Sequence, residues 1–329
     1  MKVSVVTVYY NRGALVKESI RSLLDQSYED LEIIAVDDGS TDDTLARLQS
    51  FRDRRLRVVT HANRGFTASI IEAVRLASGE LIAVHGSGDY SYPERIRRQA
   101  ELLRARPDVG VVGCLVENVN LLTGRKTIYG KLDDTEPALP QLLRGNVFTH
   151  GEVMFRRTVY EAAGGYRPLF KYSQDYDLWL RMAPLAGFAL VREVLYRRYT
   201  QPDGVSASAE KRIVQQYLAE LARQCAEERL AGGADPIDAH GAHGLLFRRR
   251  SGRLARVFLK LGLETLLDEG DAGLARRVFG LSLDERWSLP AAALAALAGW
   301  AERSAAVRRP LRFAVHAAHK MYRAAAQAR

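Results

Sequence analysis

Cysteine is nearly absent from this chain, with two in 329 residues, so a disulfide framework or a cysteine-built metal site is excluded. Cys114 and Cys225 sit in apolar or helical surroundings, where a reduced, buried thiol is expected. Long apolar runs are also missing. A bilayer span needs ~18–20 apolar residues, and the nearest run, 289–300, is alanine-rich, short and carries Pro290 at its start. Val3 already belongs to a strand pattern, with no basic segment and no cleavage site before it, so a secretory signal is not expected. These absences together point to the cytosol. No Gly-x-Gly-x-x-Gly follows the first strand and no Walker A pattern occurs, which argues against a dinucleotide dehydrogenase and a P-loop enzyme. No internal repeat of convincing period is present.

What remains is ordinary globular composition, 47% hydrophobic and 26% charged, enough for one large domain plus an appendage or for two modest domains. The net charge of +9 is unevenly placed. Residues 1–205 hold 28 Lys and Arg against 26 Asp and Glu, whereas 206–329 hold 20 against 13. An acidic partner should therefore be sought in the C-terminal region.

The first half alternates strand and helix patterns. Strands are expected at 3–7, 32–36, 57–60, 81–84 and 109–116, with helices at 66–77 and 94–105 and helical spacing at Leu15, Val16, Ile20, Leu23 and Leu24. Such repetition predicts an α/β fold with a mainly parallel sheet and right-handed crossovers. Later strands are expected at 153–156 and 188–199, with a helix from Asp175 to Met182. The Pro, Gly and Ser residues of 201–209 suggest a boundary between a domain over 1–205 and a helical, basic region over 206–329.

Three of the strands end in turns of notable chemistry: Tyr9-Tyr10-Asn11, Asp37-Asp38-Gly39-Ser40 and His85-Gly86-Ser87-Gly88-Asp89. Ligands of open α/β sheets bind at the carboxyl ends of strands, so these turns should share one pocket. Acidic side chains repel a bare polyphosphate but suit a nucleoside, with a divalent cation between carboxylate and diphosphate. A blander reading is that the Asp pair caps the next helix, although Ser40 could serve that purpose and buried carboxylates are costly unless used.

The residues in order resemble the family-2 inverting glycosyltransferases of the GT-A (nucleotide-diphospho-sugar transferase) fold. Ser4 to Asn11 is similar to that family's opening strand, with Val8 where proline is frequent, and Asn63-Arg64-Gly65-Phe66 to its segment before the third helix. Tyr92-Pro93-Glu94-Arg95, His150-Gly151-Glu152, Gly164-Gly165-Tyr166 and Asp175-Tyr176-Asp177-Leu178-Trp179 follow in the same sequence. The resemblance covers about residues 2–205. It implies a nucleoside diphosphate sugar as donor, with Val8, Tyr10, Asp38, Arg64 and Gly88 at the donor pocket and Asp38 reading the base.

Two departures matter. The family usually carries Asp-x-Asp-Asp where this chain has Gly86-Ser87-Gly88-Asp89, so Asp89 is the candidate ligand for Mg²⁺ or Mn²⁺, with metal dependence weakened or dispensable. Backbone N–H groups of the glycines could contact phosphate instead. A Glu-Asp pair normally opens the later helix, and here the pair is Gln174-Asp175. The resemblance implies Asp175 as the base that deprotonates an acceptor hydroxyl; N-terminal helix acids favoured by the dipole are the alternative for Asp175 and Asp177. Arg64 could clamp the diphosphate or be a solvated surface residue, and His150 could face the acceptor or be structural.

Processive synthases of this family carry Gln-x-x-Arg-Trp, whereas Arg286-Trp287 here is preceded by Leu283, so transfer of a single sugar is expected. The resemblance further implies surface glycan assembly with a glycan or lipid-linked acceptor. Beyond Pro310, Leu311, Ala314, Val315, Ala318, Met321 and Tyr322 share one helical face and Arg312, Lys320 and Arg323 the other, a pattern suited to an anionic membrane surface or to packing on the 289–300 helix. Nucleic acid is not expected, because Arg248-Arg249-Arg250 lacks aromatic interleaving. A catalytically inactive nucleotide- or glycan-binding protein, or a membrane scaffold acting through the tail, are the alternative readings.

Overall fold

The computed structural model describes residues 1–200 and 208–303. They form two compact units, Met1–Gly204 with Cys225–Gly233, and Val205–Gln224 with Ala234–Arg329. The first unit is α/β. Its opening strand β1, Val3–Tyr9, is buried along its whole length, as befits a central strand covered on both faces. It pairs in parallel with β2, Leu31–Asp37, on one side and with β4, Leu81–Gly86, on the other. The edge strand β3, Leu56–Thr60, continues the parallel set beyond β2. The helix α1, Gly13–Leu24, buries Val16, Ile20 and Leu23 at intervals of three to four residues, one helical face. The short α2, Thr44–Gln49, and α3, Phe66–Leu76, complete the crossovers.

Later strands change the sheet's character. β5, Tyr90–Ser91, β7, Lys126–Tyr129, and β8, Met154–Arg156, join antiparallel, while the long β6, Val109–Asn120, and β9, Gly187–Thr200, pair in parallel. The nine-stranded order is β3-β2-β1-β4-β8-β6-β9-β5, with β7 on β6. The expected parallel frame thus holds for the N-terminal strands and for β6–β9. Between them β8 runs the opposite way and leads directly into the short α6, Arg157–Ala162.

One apolar cluster joins Val3, Val5, Ile33, Leu81 and Ala83 to Ile96, Ala100 and Leu103 of α4, Arg95–Ala105. A second joins Tyr9, Ala35 and Leu48 to Val16 and Ile20. Each fully buried aliphatic side chain contributes roughly 1.5–3 kcal/mol, so the sheet is clamped from both sides. Two further helices, α5, Ala138–Arg144, and α7, Gln174–Met182, lie in the later half of this unit.

The second unit is helical in its described part. It contains most of α8, Ala209–Leu230, then α9, Pro236–His240, α10, Gly252–Glu264, α11, Ala272–Glu285, and α12, Leu289–Arg303. Side-chain caps set the starts: Asp235 accepts the Ile237 N–H at 2.8 Å, Ser251 the Leu254 N–H at 3.2 Å and Asp271 the Leu274 N–H at 2.8 Å. The expected amphipathic segment beyond Pro310 and most of the expected boundary 201–209 lie outside the described residues. Among the described residues no helix is long and apolar enough to cross a membrane.

Candidate functional site

Register aligns the strand ends. Tyr9 stands opposite Asp37, and Val8 stands between Val36 and Gly86, so the turns after β1, β2 and β4 leave the sheet at one level. The first two are tied together. The Asn11 N–H donates to Ser40 Oγ at 3.0 Å, and Asn11 Oδ1 accepts the Thr41 N–H at 2.8 Å. Ser40 therefore links turns rather than capping a helix, and α2 begins later, at Thr44. Val8 is buried at the end of β1, and Tyr10 projects with 48% of its surface exposed.

Asp38 is 2% exposed. Its carboxylate accepts the Arg64 N–H at 3.0 Å, the Gly65 N–H at 3.0 Å and the Ser69 hydroxyl at 2.9 Å. These bonds hold the Asn63-Arg64-Gly65 turn and the start of α3, where Gly65 takes φ +90°. Asp38 thus braces the turn that leads into α3 and does not cap α2, the helix of the blander reading. The Arg64 guanidinium pairs with Glu72 on α3. Asp37 is spent on Thr60 Oγ1 at 2.9 Å and the Ser40 N–H at 3.3 Å.

Around the third turn, the Tyr196 hydroxyl donates to Asp89 Oδ2 at 2.6 Å and accepts the Gly86 N–H at 2.9 Å. Asp89 Oδ1 accepts the Tyr199 N–H at 3.2 Å. Burial pushes the Asp89 carboxyl up to about 6, against the pull of these donors. The Gly88 N–H is turned inward to Ser19 Oγ at 3.2 Å, and the Asp89 N–H to the Gly86 carbonyl at 3.0 Å. Internal partners therefore take the N–H groups of Gly86, Gly88 and Asp89, which removes them as phosphate donors in this arrangement. Gly88 matters for space instead: it has φ +93°, and a Cβ there would lie 2.6 Å from Leu15 Cδ1.

A buried polar network supports this turn. The fully buried Arg95 donates to Ser91 Oγ at 2.8 Å and the Val84 carbonyl at 2.7 Å, and lies 4.8 Å over the Tyr196 ring. His85 bridges Ser19 and Ser91, and burial holds its imidazole neutral, down to about 3. Tyr9 donates to Ser19 at 2.9 Å.

Residues 146–177 supply a further group of polar contacts. Asp175, in the first turn of α7, accepts Asn146 Nδ2 at 2.9 Å. His150 Nε2 lies 2.7 Å from the Tyr166 hydroxyl, and its ring is edge-on to Phe66, the first residue of α3, at 5.6 Å. Burial lowers the His150 pKa, partly offset by the charge of Asp175. Glu152 is buried in a capping box with Thr149, and its pKa is raised well above the ordinary range, chiefly by burial. Asp177 lies deeper, held by Arg167 and by Arg181 Nη2 at 2.7 Å. The His150-Gly151-Glu152 turn joins the halves, since Gly151 packs against the Tyr196 hydroxyl and His150 against Phe66. Contacts thus run from Asp38 through the Arg64–Phe66 segment and the 150–152 turn to Tyr196 and Asp89, and the charge of Asp175 acts on His150 and Glu152. Tyr196 and Asn146 were not singled out from sequence: one lies in a strand among arginines and the other in an unpatterned loop.

No group of three or more His, Cys, Asp or Glu side chains able to hold a metal occurs among the described residues. Asp89 alone still fits Mg²⁺ or Mn²⁺ as one carboxylate completed by phosphate oxygens and water. Its partners are a neutral hydroxyl and a peptide N–H, and its raised pKa marks a carboxylate that a cation would stabilise.

The model of the Glycosyl transferase family 2 matches residues 4–164. The putative glycosyltransferase EpsE of Bacillus subtilis is 32% identical over 209 residues, which cover 60% of this chain and 72% of EpsE. The chondroitin synthase of Escherichia coli is 26% identical over 216 residues, only 30% of its own length. Among solved structures, S. aureus TarS 1-349 with UDP-GlcNAc superposes with a TM-score of 0.59 at 15% identity, covering 92% of each chain. The mannosyltransferase PcManGT from Pyrobaculum calidifontis, with GDP-Man and Mn2+, gives 0.54 at 21% identity, covering 96% of this chain and 84% of that one. The fold of these structures, GT-A, is the fold of the first unit.

Proposed function

The chain belongs to glycosyl transferase family 2, and on that premise we propose that it moves one sugar from a nucleoside diphosphate sugar to an acceptor hydroxyl with inversion. Nucleotide-sugar complexes of TarS and PcManGT support the donor class, and the name of the chondroitin synthase supports a role in glycan assembly; a glycan or lipid-linked acceptor would go with that role. The chemistry would take place at the cytoplasmic face of the membrane, with 304–329 as a peripheral contact.

The observation that carries the reading is the chain of contacts from Asp38 to Asp89 through the 150–152 turn, with the charge of Asp175 acting on His150. Asp38 faces the base with its remaining acceptor capacity, and Val8, Tyr10, Arg64 and Gly88 shape the pocket around it. Asp89 would hold Mg²⁺ or Mn²⁺, which when bound neutralises charge on the departing diphosphate. Asp175 takes the proton of the acceptor hydroxyl as its oxygen bonds to the anomeric carbon and the bond from that carbon to the diphosphate oxygen breaks. Asn146 holds one Asp175 oxygen and leaves the other for the acceptor. Gln174 stands beside it where the family usually carries a second acid, so Asp175 is the one carboxylate of that pair.

The test is a thermal-shift panel with UDP, GDP, dTDP and CDP, each with and without Mn²⁺, on wild type and Asp89→Ala. A nucleotide-specific shift that grows with Mn²⁺ in wild type alone is the expected result. Product NMR with the responding sugar nucleotide then reads the anomeric configuration. Binding without release of nucleoside diphosphate would favour a non-catalytic protein, and retained configuration would overturn the inverting mechanism.

A further inference from the structure

The second unit leaves large apolar side chains in water beside arginines. Leu246 is 83% exposed, Phe247 56%, Trp287 70% and Leu289 69%. Singly exposed apolar residues mean little, but these emerge together. The Arg248 guanidinium pairs with Glu285 at 3.0 Å, and the Ser251 N–H donates to the same carboxylate at 2.8 Å. Gly252 lies against the Arg286 side chain. The segment that follows Phe247 is therefore docked on the segment that leads into Trp287. The Phe247 ring is also held, stacked on His240 at 4.6 Å, so it is presented as a fixed anchor.

Charge follows the same contour. Arg249, Arg250, Arg256 and Arg286 are exposed, and from 245 to 263 the chain carries six basic residues and no acid. Glu285 is buried against Arg248, and the exposed Asp284 offsets one of these charges, so the surface stays net basic. We infer that Leu246, Phe247, Trp287 and Leu289, flanked by Arg249, Arg250 and Arg286, form a surface that docks on an anionic lipid bilayer at headgroup level. Aliphatic tips enter the acyl boundary, the indole sits at the interface, and guanidinium groups meet lipid phosphates. A nucleic acid would leave Leu246 and Leu289 without a role. A second copy of the same face would set arginines against arginines. The inference shares only its class of partner with the tail reading, and it does not depend on the donor site.

The experiment is flotation of the full chain with vesicles of phosphatidylcholine alone or mixed equally with phosphatidylglycerol, at low and high salt. The expected result is binding to the anionic vesicles only, weakened by salt, with a blue shift of tryptophan fluorescence. Leu246→Ser with Phe247→Ser and Trp287→Ser should lower binding at least about tenfold, and Arg249→Glu with Arg250→Glu should do the same. Unchanged thermal unfolding and nucleotide shifts in these variants separate the surface from the fold and from the donor site. A full chain carrying Lys320→Glu and Arg323→Glu should lose less binding than either of these variants. The inference is overturned by absent binding, by equal binding to both vesicle types, by variants that bind normally, or by loss only in the tail variant. A concentration-dependent dimer that the serine variant abolishes would overturn it in favour of self-association.

Discussion

The Tyr196 hydroxyl spans from the Gly86 N–H, at 2.9 Å, to Asp89 Oδ2, at 2.6 Å, and so fixes the orientation of the one carboxylate left in this turn. A side chain at Gly86 would collide with Asp89 Oδ2 and one at Gly151 with the Tyr196 hydroxyl. Glycine at 86 and 151 is therefore what leaves room for the bridge. Tyr196→Phe keeps the ring beneath Arg95 and removes only the bridge. We expect a stability loss of about 1.5–3 kcal/mol, the range for hydrogen bonds to a charged group. The Mn²⁺ concentration for half-maximal rate should rise as Asp89 loosens. Denaturant unfolding and a metal titration read the two effects, and a variant unchanged in both would show the bridge to be idle.

Asn146 and Asp175 give a second prediction. Asp175→Asn should lower kcat roughly 10²–10⁴-fold, the range for a removed general base, while the nucleotide-induced thermal shift stays as in wild type. Asn146→Asp would place a like charge against Asp175 and move the acidic limb of the pH–rate profile upward. Asn146→Ala should reduce kcat and leave donor KM near wild type. An unmoved acidic limb in Asn146→Asp would remove Asn146 from the positioning of the base.

Much of this frame was legible because its signals are local. Apolar alternation and turn residues place β1, β2 and β4, and the strand-end rule brings Tyr10, Asp38 and Asp89 to one level without knowledge of any long-range contact. What escaped depends on pairings distant in sequence. Tyr196 meets Asp89 across 107 positions, and nothing in a strand with tyrosines at 196 and 199 says which one turns its hydroxyl toward the site. Asn146 lies in a loop whose path is set by α7 and by the Thr149–Glu152 capping box. The antiparallel insertion of β8 between β4 and β6 also has no periodicity of its own, since three residues are too few to display one.

Asp38 couples the base side of the pocket to a backbone turn, which yields a third prediction. Asp38→Ala strands the Arg64 and Gly65 N–H groups and the Ser69 hydroxyl in a buried setting. The cost should be about 2–4 kcal/mol, that of leaving buried donors unpaired. Asp38→Asn keeps the volume but offers an N–H₂ to a peptide N–H, so it should also destabilise, by less. If Asp38 also reads the base, Asp38→Asn loses discrimination among UDP, GDP, dTDP and CDP in the thermal-shift panel even at temperatures where it is fully folded. Intact discrimination would leave the residue a purely structural cap.

Glu32 supplies the pH prediction, away from the strand ends that carry the pocket. It gathers the Ser4 hydroxyl, the Ser78 N–H at 2.6 Å, the Ser78 hydroxyl at 2.9 Å and Lys2 Nζ at 3.2 Å. Burial alone would raise its pKa, but these donors outweigh burial and bring it down to about 2 from 4.5. A folded-state pKa below the unfolded value means stability that is fully present above pH 4.5 and is lost as pH falls toward 2. Solvent still reaches the side chain, so the contribution is discounted to about 1–2 kcal/mol. Glu32→Gln should therefore unfold more easily than wild type at pH 7 by roughly that amount, with the gap closing progressively below pH 4.5 and kcat unaffected at any pH where both proteins are folded. Urea midpoints measured from pH 7 downward test this, and a gap that stays constant on acidification would mean that packing, not charge, is what Glu32 contributes.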